Sequence, residues 1–424
     1  MFTMPYGPKW RTYRTIVHQL VSTNMTLTFV PTQEFETKQL LYEFAFKNDN
    51  QRDFYFHVRR FSFSIIMTST YGRRIDKWDH EDVLYATKST KLLGQITRAG
   101  AFIEDELPPL AKLPHWMQPS RKRAIEYSKP ILEAKLRLWN RLKAELNAGK
   151  APTCYGRGIM ESNYHAQGLT DEDAAWIAGG IVEAGSETSS VTLNNLILRL
   201  AANPRVQHVA YEELMRVVGN KRTPRFDDIP NLPYIRACIK EVLRLCPVPT
   251  WGIKHYADAD ITYKHYVIPK GTVLLANTSF IHYDPQRYDE PFAFKPERYL
   301  NHPLYSAEYA AQSDPYKRDH FTFGAGRRIC PGARLAENTL NIALANILWA
   351  FEIRPPIEHG RELEMDLGDE AYEDTSFRTP KPFAVRFTPR SEDRLEIVKQ
   401  QWERAMEEGY VLRGMTVDVD GIVR

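Results

Sequence analysis

The ten residues "FGAGRRICPG", Phe323 to Gly332, hold the densest chemistry in the chain. Two glycines let the backbone bend and approach something flat, and Gly332 removes a side chain just beyond Cys330. The run that follows, "PGARLAENTLNIALANILWAF", reads as a helix with Pro331 near its first turn. A cysteine there meets the positive end of the helix dipole and unpaired N–H groups, and both favour the thiolate. A buried structural cysteine at a helix start is common, but one framed by Phe323, Gly326, Arg328 and Gly332 is not. At the other end of the chain, "PYGPKWRTYR" puts Trp10 and Arg14 at i and i+4, on one helix face. That pair could grip one anionic object; an ordinary surface helix with a stacked arginine is the alternative.

The elements that position these residues are mostly helical. The stretch "PILEAKLRLWNRLKAELNAGK" ends at Gly149 as a C-cap. Thr170 and Asp173 form a capping box before "AAWIAGGIVEAGSETSSVTLNNLILRLAANP", which Asn203–Pro204 stops, a helix of roughly 50 Å at 1.5 Å per residue. Hairpins are expected in "ITYKHYVIPKGTVLLANTS" and near "PFAVRFTP". From Ser391 onward, Leu395, Val398, Trp402 and Met406 make a helical stripe that leads to a polar tail. The proline-broken segment around Trp116 reads as a packed connecting loop, with a membrane-dipping element as the alternative. The expected fold is mainly α with a small β component.

Composition supports a large core: 43% of the 424 residues are hydrophobic, with 8 Trp, 22 Tyr and 20 Phe. A net charge of +3 is too small to argue for nucleic acid or an acidic lipid surface. The cysteines, Cys154, Cys238, Cys246 and Cys330, form no CxxC pair or zinc-like cluster and suit a reducing compartment. No apolar run approaches a membrane span, and the N-terminus lacks the pattern of a signal peptide.

FxxGxRxCxG, filled by Phe323, Gly326, Arg328, Cys330 and Gly332, resembles the haem-binding signature of the cytochrome P-450 superfamily. The resemblance implies that Cys330 is the axial thiolate ligand of haem b, which favours cleavage of the O–O bond. It also implies that Arg328 pairs with a haem propionate. Three further stretches match in the family's order. "AGSETS" resembles the oxygen-activation element: Thr188 can bond back to the Ala184 carbonyl and loosen the helix where Gly185 leaves room for dioxygen, and Glu187 supplies protons. In "IKEVLRL", Glu241 and Arg244 match ExxR, and Arg298 of "FKPERYL" completes an ion triad with a structural role. In the segment after ExxR, His255 takes the place of a basic residue that meets a propionate.

The opening "PYGPKWRTYR" resembles the family's WxxxR helix, in which Trp10 and Arg14 hydrogen-bond a propionate. Substrate-lining positions implied by the resemblance are Ile181, Val182, Ala184, Val248, Trp251, Ile253, Ser376 and Phe377. The fold expected is thus a P-450 fold with its anchor, first helices and part of the main sheet absent. Residues 1–390 would form the monooxygenase domain and 391–424 a C-terminal helical extension with a polar tail.

The activity implied is a haem-thiolate monooxygenase that inserts one atom of dioxygen into a small, largely apolar organic molecule. Electrons would come from NADPH through a flavoprotein reductase, with Lys9, Arg11, Lys317, Arg318 and Arg327 as a docking patch. The match is in the style of eukaryotic, notably fungal, members, which act in secondary metabolism and are anchored to the endoplasmic reticulum membrane on its cytosolic face. Two other readings stand beside it. One is a haem-thiolate isomerase or dehydratase that needs no reductase, and the other is a non-catalytic haem-binding relative.

Overall fold

The 31 residues Asp171–Ala201 form the longest helix of the computed structural model, which describes residues 1, 4–97, 100–375, 377–412 and 414–419. The capping box forms as the sequence predicts. The Thr170 amide donates to Asp173 Oδ2 at 3.0 Å, and the Asp173 amide donates back to Thr170 Oγ1 at 3.1 Å. The helix ends at Ala201, and the next one starts at Pro204, whose ring suits a first helical position. Helices dominate, and the strands among the described residues pair only as two-stranded antiparallel ladders. The mainly α expectation holds.

The chain divides into two compact units, Met1–Val58 with Thr188–Ala405, and Arg59–Glu187 with Met406–Arg424. The first unit is built around the helix Ala333–Ala350, whose residues from Leu340 to Ala350 are all buried. Gln33 of the helix Val30–Phe46 donates to Thr339 Oγ1 at 2.7 Å and so ties that helix to the central one. The helix Pro233–Leu245 is buried on every side from Ala237 to Leu245, including Lys240, Glu241 and Arg244. A helix that buries charges this thoroughly must pair them internally.

Of the two expected hairpins, one forms and one is corrected. Ile261–Tyr263 and Tyr266–Ile268 do form a hairpin, turning at Lys264 with φ 53°. The segment near Phe387 makes no hairpin; Arg386–Pro389 pairs with Phe351–Arg354, directly after the central helix. A strand exposes a whole edge of donors and acceptors, so its partner can lie anywhere in the chain.

The C-terminal helix Glu392–Glu408 buries Arg394, Val398 and Ala405. Arg394 donates to Tyr211 Oη at 2.9 Å, and Trp402 meets Phe35 edge-on at 5.6 Å. Met406, expected on the buried stripe, is exposed. The polar tail instead begins with a hairpin, Tyr410–Leu412 against Met415–Val417, with Leu412 and Val417 buried.

In the second unit the helix Arg121–Asn147 is followed by Gly149 at φ 69°, the left-handed geometry of a C-cap. Gly156 lies where an added Cβ would come within 2.9 Å of the Thr70 carbonyl, so only glycine fits. Trp116, expected in a packed loop, is 84% exposed in a short 3₁₀ turn, His115–Met117. No helix among the described residues is long and apolar enough to cross a membrane.

Candidate functional site: an open cysteine loop at a helix start

The loop Phe323–Gly332 is closed by its own backbone. The Cys330 amide donates to the Phe323 carbonyl at 2.8 Å, and the Ile329 amide donates to Gly326 at 3.1 Å. Gly324 and Gly326 adopt φ of 75° and 64°, conformations that side-chain-bearing residues avoid. The helix begins at Ala333, two residues after Pro331, with Gly332 at its N-cap. Cys330 is the one exposed cysteine; the other three are buried. A Cβ added at Gly324, Gly326 or Gly332 would meet no protein atom within 4 Å. The loop faces open space.

The electrostatics depart from the expectation of a preformed thiolate. Dense surrounding protein raises the Cys330 pKa, although the sulfur itself is open at contact range, while the Gly332 and Ala333 amides and Arg14 pull it down. The helix start and the arginine act in the expected direction and lose to desolvation. A cation at the sulfur would be needed to reverse the balance.

The N-terminal helix Pro8–Leu20 packs beside this loop. Arg14 donates to the Ile329 carbonyl at 2.6 Å, which ties the helix to the residue before Cys330. Arg328 lies over the Trp10 ring at 4.4 Å and donates to the Met4 carbonyl at 2.9 Å. Trp10 is buried, and its Nε1 has no acceptor. An orphaned buried donor is costly and calls for a partner. Its presence beside an open, positively charged loop fits an anionic group of a bound cofactor. His255 is exposed on the strand His255–Tyr256 and has no side-chain partner among the described residues.

The triad assembles in full. Glu241 accepts from Arg244 Nε and Nη2 at 2.8 Å each and from Arg298 Nε at 3.3 Å. Arg244 also donates to the carbonyls of His282 and Pro291 at 2.8 Å. All five N–H groups of Arg244 and both oxygens of Glu241 find partners, the condition on which a buried pair holds. Tyr299 buries its ring and donates to the Asp319 carbonyl at 3.1 Å.

On the long helix, Ile181, Ala184 and Thr188 share one face at helical spacing, whereas Val182 points elsewhere and is buried. Gly185 does not leave room for dioxygen: a Cβ there would lie 2.8 Å from Ile66 Cδ1, so the glycine admits that side chain. Glu187 has a partner the sequence did not indicate, Arg59, at 3.2 Å. The two line a cavity of about 10 Å³, room for about one water, with Phe63, Ala86, Thr87 and Ser186. No motif marks Arg59; it sits within a helical, aromatic-rich run. Val248 is buried, Trp251 and Ile253 are exposed, and Phe377 is half-buried. Ser376 lies outside the described residues.

The family model for cytochrome P450 matches residues 1–379. The chain belongs to the cytochrome P450 family. It is 56% identical over 426 residues to the cytochrome P450 monooxygenase pgmC of Aspergillus terreus, spanning all of this chain and 77% of that protein. It is 38% identical to the monooxygenase verL of Clonostachys rogersoniana, over 96% of this chain and 74% of that one. Among solved structures, a zebrafish cytochrome P450 with progesterone matches with a TM-score of 0.71 and 25% identity, covering 91% of this chain and 83% of that one. Family membership makes this chain an oxidoreductase of the haem-thiolate class.

Proposed function

We propose that Cys330 is the haem ligand and that the chain inserts one oxygen atom from dioxygen into a small, largely apolar organic substrate. The observation that carries this reading is the pairing of an open Cys330 on a glycine loop with an unpartnered, buried Trp10 Nε1 beside it. A propionate would supply the missing acceptor. When bound, haem supplies iron for the activation of dioxygen.

The chain's own residues then have separable tasks. Cys330 Sγ would hold the metal; Arg14 fixes the Ile329 carbonyl and hence the loop's direction; Trp10 would orient an anionic edge. Arg328, held over Trp10, adds positive charge there. Glu187 is the group placed to pass a proton, and Arg59, at 3.2 Å, turns its carboxylate toward itself. Thr188, one residue on, offers a hydroxyl on the face shared with Ile181 and Ala184. The intact Glu187–Thr188 pair favours monooxygenation over isomerisation, since an isomerase has no oxygen protons to manage. Electrons from NADPH through a flavoprotein reductase, and placement at the endoplasmic reticulum, belong to this proposal by resemblance to the family. Arg11 and Arg327, both exposed and both over Tyr6, give the proximal side cations for an acidic partner.

The test is turnover of candidate apolar substrates by haem-loaded protein with reductase, NADPH and isotopically labelled dioxygen. One labelled oxygen atom in the product supports the reading. Product formed without label or NADPH assigns the chain to the isomerase class instead.

A further inference from the structure

The four residues that lead into the cysteine loop, Asp319 to Thr322, are each tied to a different part of the first unit. The Asp319 carbonyl accepts from Tyr288 and Tyr299 at 3.0 and 3.1 Å. The Phe321 amide donates to His282 Nε2 at 2.8 Å, and Thr322 Oγ1 donates to the Leu243 carbonyl at 2.5 Å. The Asp319 and His320 side chains enter a fully buried cluster with Lys240, Ser306 and Glu337.

Ser306 Oγ is the hub. It lies 2.7 Å from Asp319 Oδ2, 2.9 Å from Glu337 Oε1 and 3.0 Å from His320 Nε2. A serine hydroxyl has one hydrogen to give and two lone pairs. His320 Nδ1 accepts from the Thr322 amide, so the ring proton sits on Nε2 and is donated to Ser306. The serine hydrogen can then reach only one of the two carboxylates. With both ionised, an oxygen–oxygen contact below 3 Å would hold no proton, in a site where an unmet polar contact is costly.

Asp319 is the ionised one. Its Oδ2 takes Lys240 Nζ at 2.5 Å, and its Oδ1 takes the His320 amide at 2.8 Å. Lys240 stands farther from Glu337, at 3.9 Å. Glu337 has only the Ser306 amide as a backbone donor, 3.0 Å from Oε2.

We propose that Glu337 is a neutral acid at pH 7 that donates its proton to Ser306, making this cluster an uncharged clamp that positions the segment leading into Cys330. Ser306 then accepts from His320 and Glu337 and donates to Asp319; Lys240 Nζ, 3.4 Å from Ser306 Oγ, gives its much shorter bond to Asp319 at 2.5 Å. The charges sum to zero, since Lys240 and Asp319 cancel and His320 and Glu337 are neutral. The titration tendencies agree. Burial raises Glu337, and burial holds His320 down at about 4. Burial opposes the Asp319 charge as well, but His320, Lys240 and the bond from Ser306 outweigh it and bring that carboxyl to about 2. The other titratable groups facing the cluster are Glu241 and Arg244 of the triad, His282, His302, and Tyr288, Tyr299 and Tyr309. None is placed to give Ser306 a second proton.

The consequence is an asymmetry between two buried carboxyls. Glu337→Gln keeps the neutral donor and is tolerated; Asp319→Asn leaves Lys240 as an uncompensated buried charge. The clamp's effect on Cys330 rests on the proposed haem site, but the proton itself is read without haem. Infrared difference spectroscopy of the haem-free chain should show a protonated-carboxyl band at pH 7 that disappears in Glu337→Gln. A band that persists in that variant, or no such band in the wild type, overturns the assignment.

Haem-loaded protein tests positioning. Glu337→Gln should keep the wild-type fraction of thiolate-type carbon monoxide spectrum and lose its decline as the pH is raised above neutral, where a carboxyl pushed up by burial ionises. Glu337→Asp, shorter and still titratable, should keep the decline. If Glu337→Gln loses the thiolate-type band as fully as Asp319→Asn, the two carboxyls are equivalent and the proposal fails. Wild type with a protonated-carboxyl band but no haem binding would leave the neutral acid standing and remove the haem site.

Discussion

Replacing Trp10 by Phe separates a cofactor contact from a packing contact by the sign of its effects. In the haem-free chain the Trp10 Nε1 hydrogen is buried without an acceptor, a cost of about 1–3 kcal/mol that phenylalanine does not carry. The substitution also loses part of the stack under Arg328 at 4.4 Å, worth about 0.5–1 kcal/mol, and opens a small void. These terms offset, so the haem-free variant should match the wild type to within about 1 kcal/mol. In the loaded protein a hydrogen bond to a charged propionate is lost, about 1.5–3 kcal/mol. That corresponds to a roughly 10- to 140-fold faster release of haem.

Haem release is measured by transfer to excess apomyoglobin, and stability by urea unfolding of the haem-free chain. Unchanged release from Trp10→Phe would refute the assignment of the orphaned Nε1 to a cofactor anion. A haem-free variant weakened by more than about 2 kcal/mol would show that the indole serves packing.

Further outcomes follow from the same geometry. Glu241→Gln, which leaves Arg244 buried without a carboxylate, should destabilise the first unit by about 3–5 kcal/mol, and Arg298→Ala, with its single 3.3 Å contact to Glu241, by markedly less; urea midpoints of the two variants check the order. Gly185→Ala should cost about 1–3 kcal/mol through the clash with Ile66, and Ile66→Val in the same chain should recover part of it in a thermal melt. Acidification should weaken the fold in two windows. His320, held neutral, opposes folding as pH falls from 6.5 toward about 4, and Asp319 stops contributing from 3.8 toward about 2. His320→Gln should flatten the upper window in a pH series of melting temperatures. Reversing Arg11 and Arg327 to glutamate should slow reduction by a reductase at low salt, with the difference shrinking as salt rises; equal rates at all salt concentrations would remove the docking patch.

What was legible in the sequence was local. Thr170 and Asp173 cap a helix through a three-residue spacing, Glu241 and Arg244 meet within one turn, and Gly324 and Gly326 announce the bent loop. Each rests on near neighbours whose geometry the backbone fixes. What was hidden depends on residues far apart in the chain. Arg59 meets Glu187 across 128 positions, and Gly185 serves Ile66, a packing demand indistinguishable in sequence from room for a ligand. The buried cluster at Ser306 gathers residues from the helices Pro233–Leu245 and Ala333–Ala350 and from the loop before Phe323. Its sequence trace is two charges, Lys240 and Glu337, on helices that already carry other polar residues, so nothing in the sequence sets them apart. The preformed thiolate failed for a different reason: local donors at a helix start were legible, but the desolvation opposing them was set by the tertiary surroundings of Cys330.

The most direct test of the account is the carbon monoxide difference spectrum of the reduced, haem-loaded chain beside Cys330→Ser. The account predicts a strongly red-shifted Soret band in the wild type that is absent from the variant, since no other cysteine is exposed. A band at the position of a neutral-thiol or histidine ligand in the wild type, or a red-shifted band that survives the loss of Cys330, would contradict it.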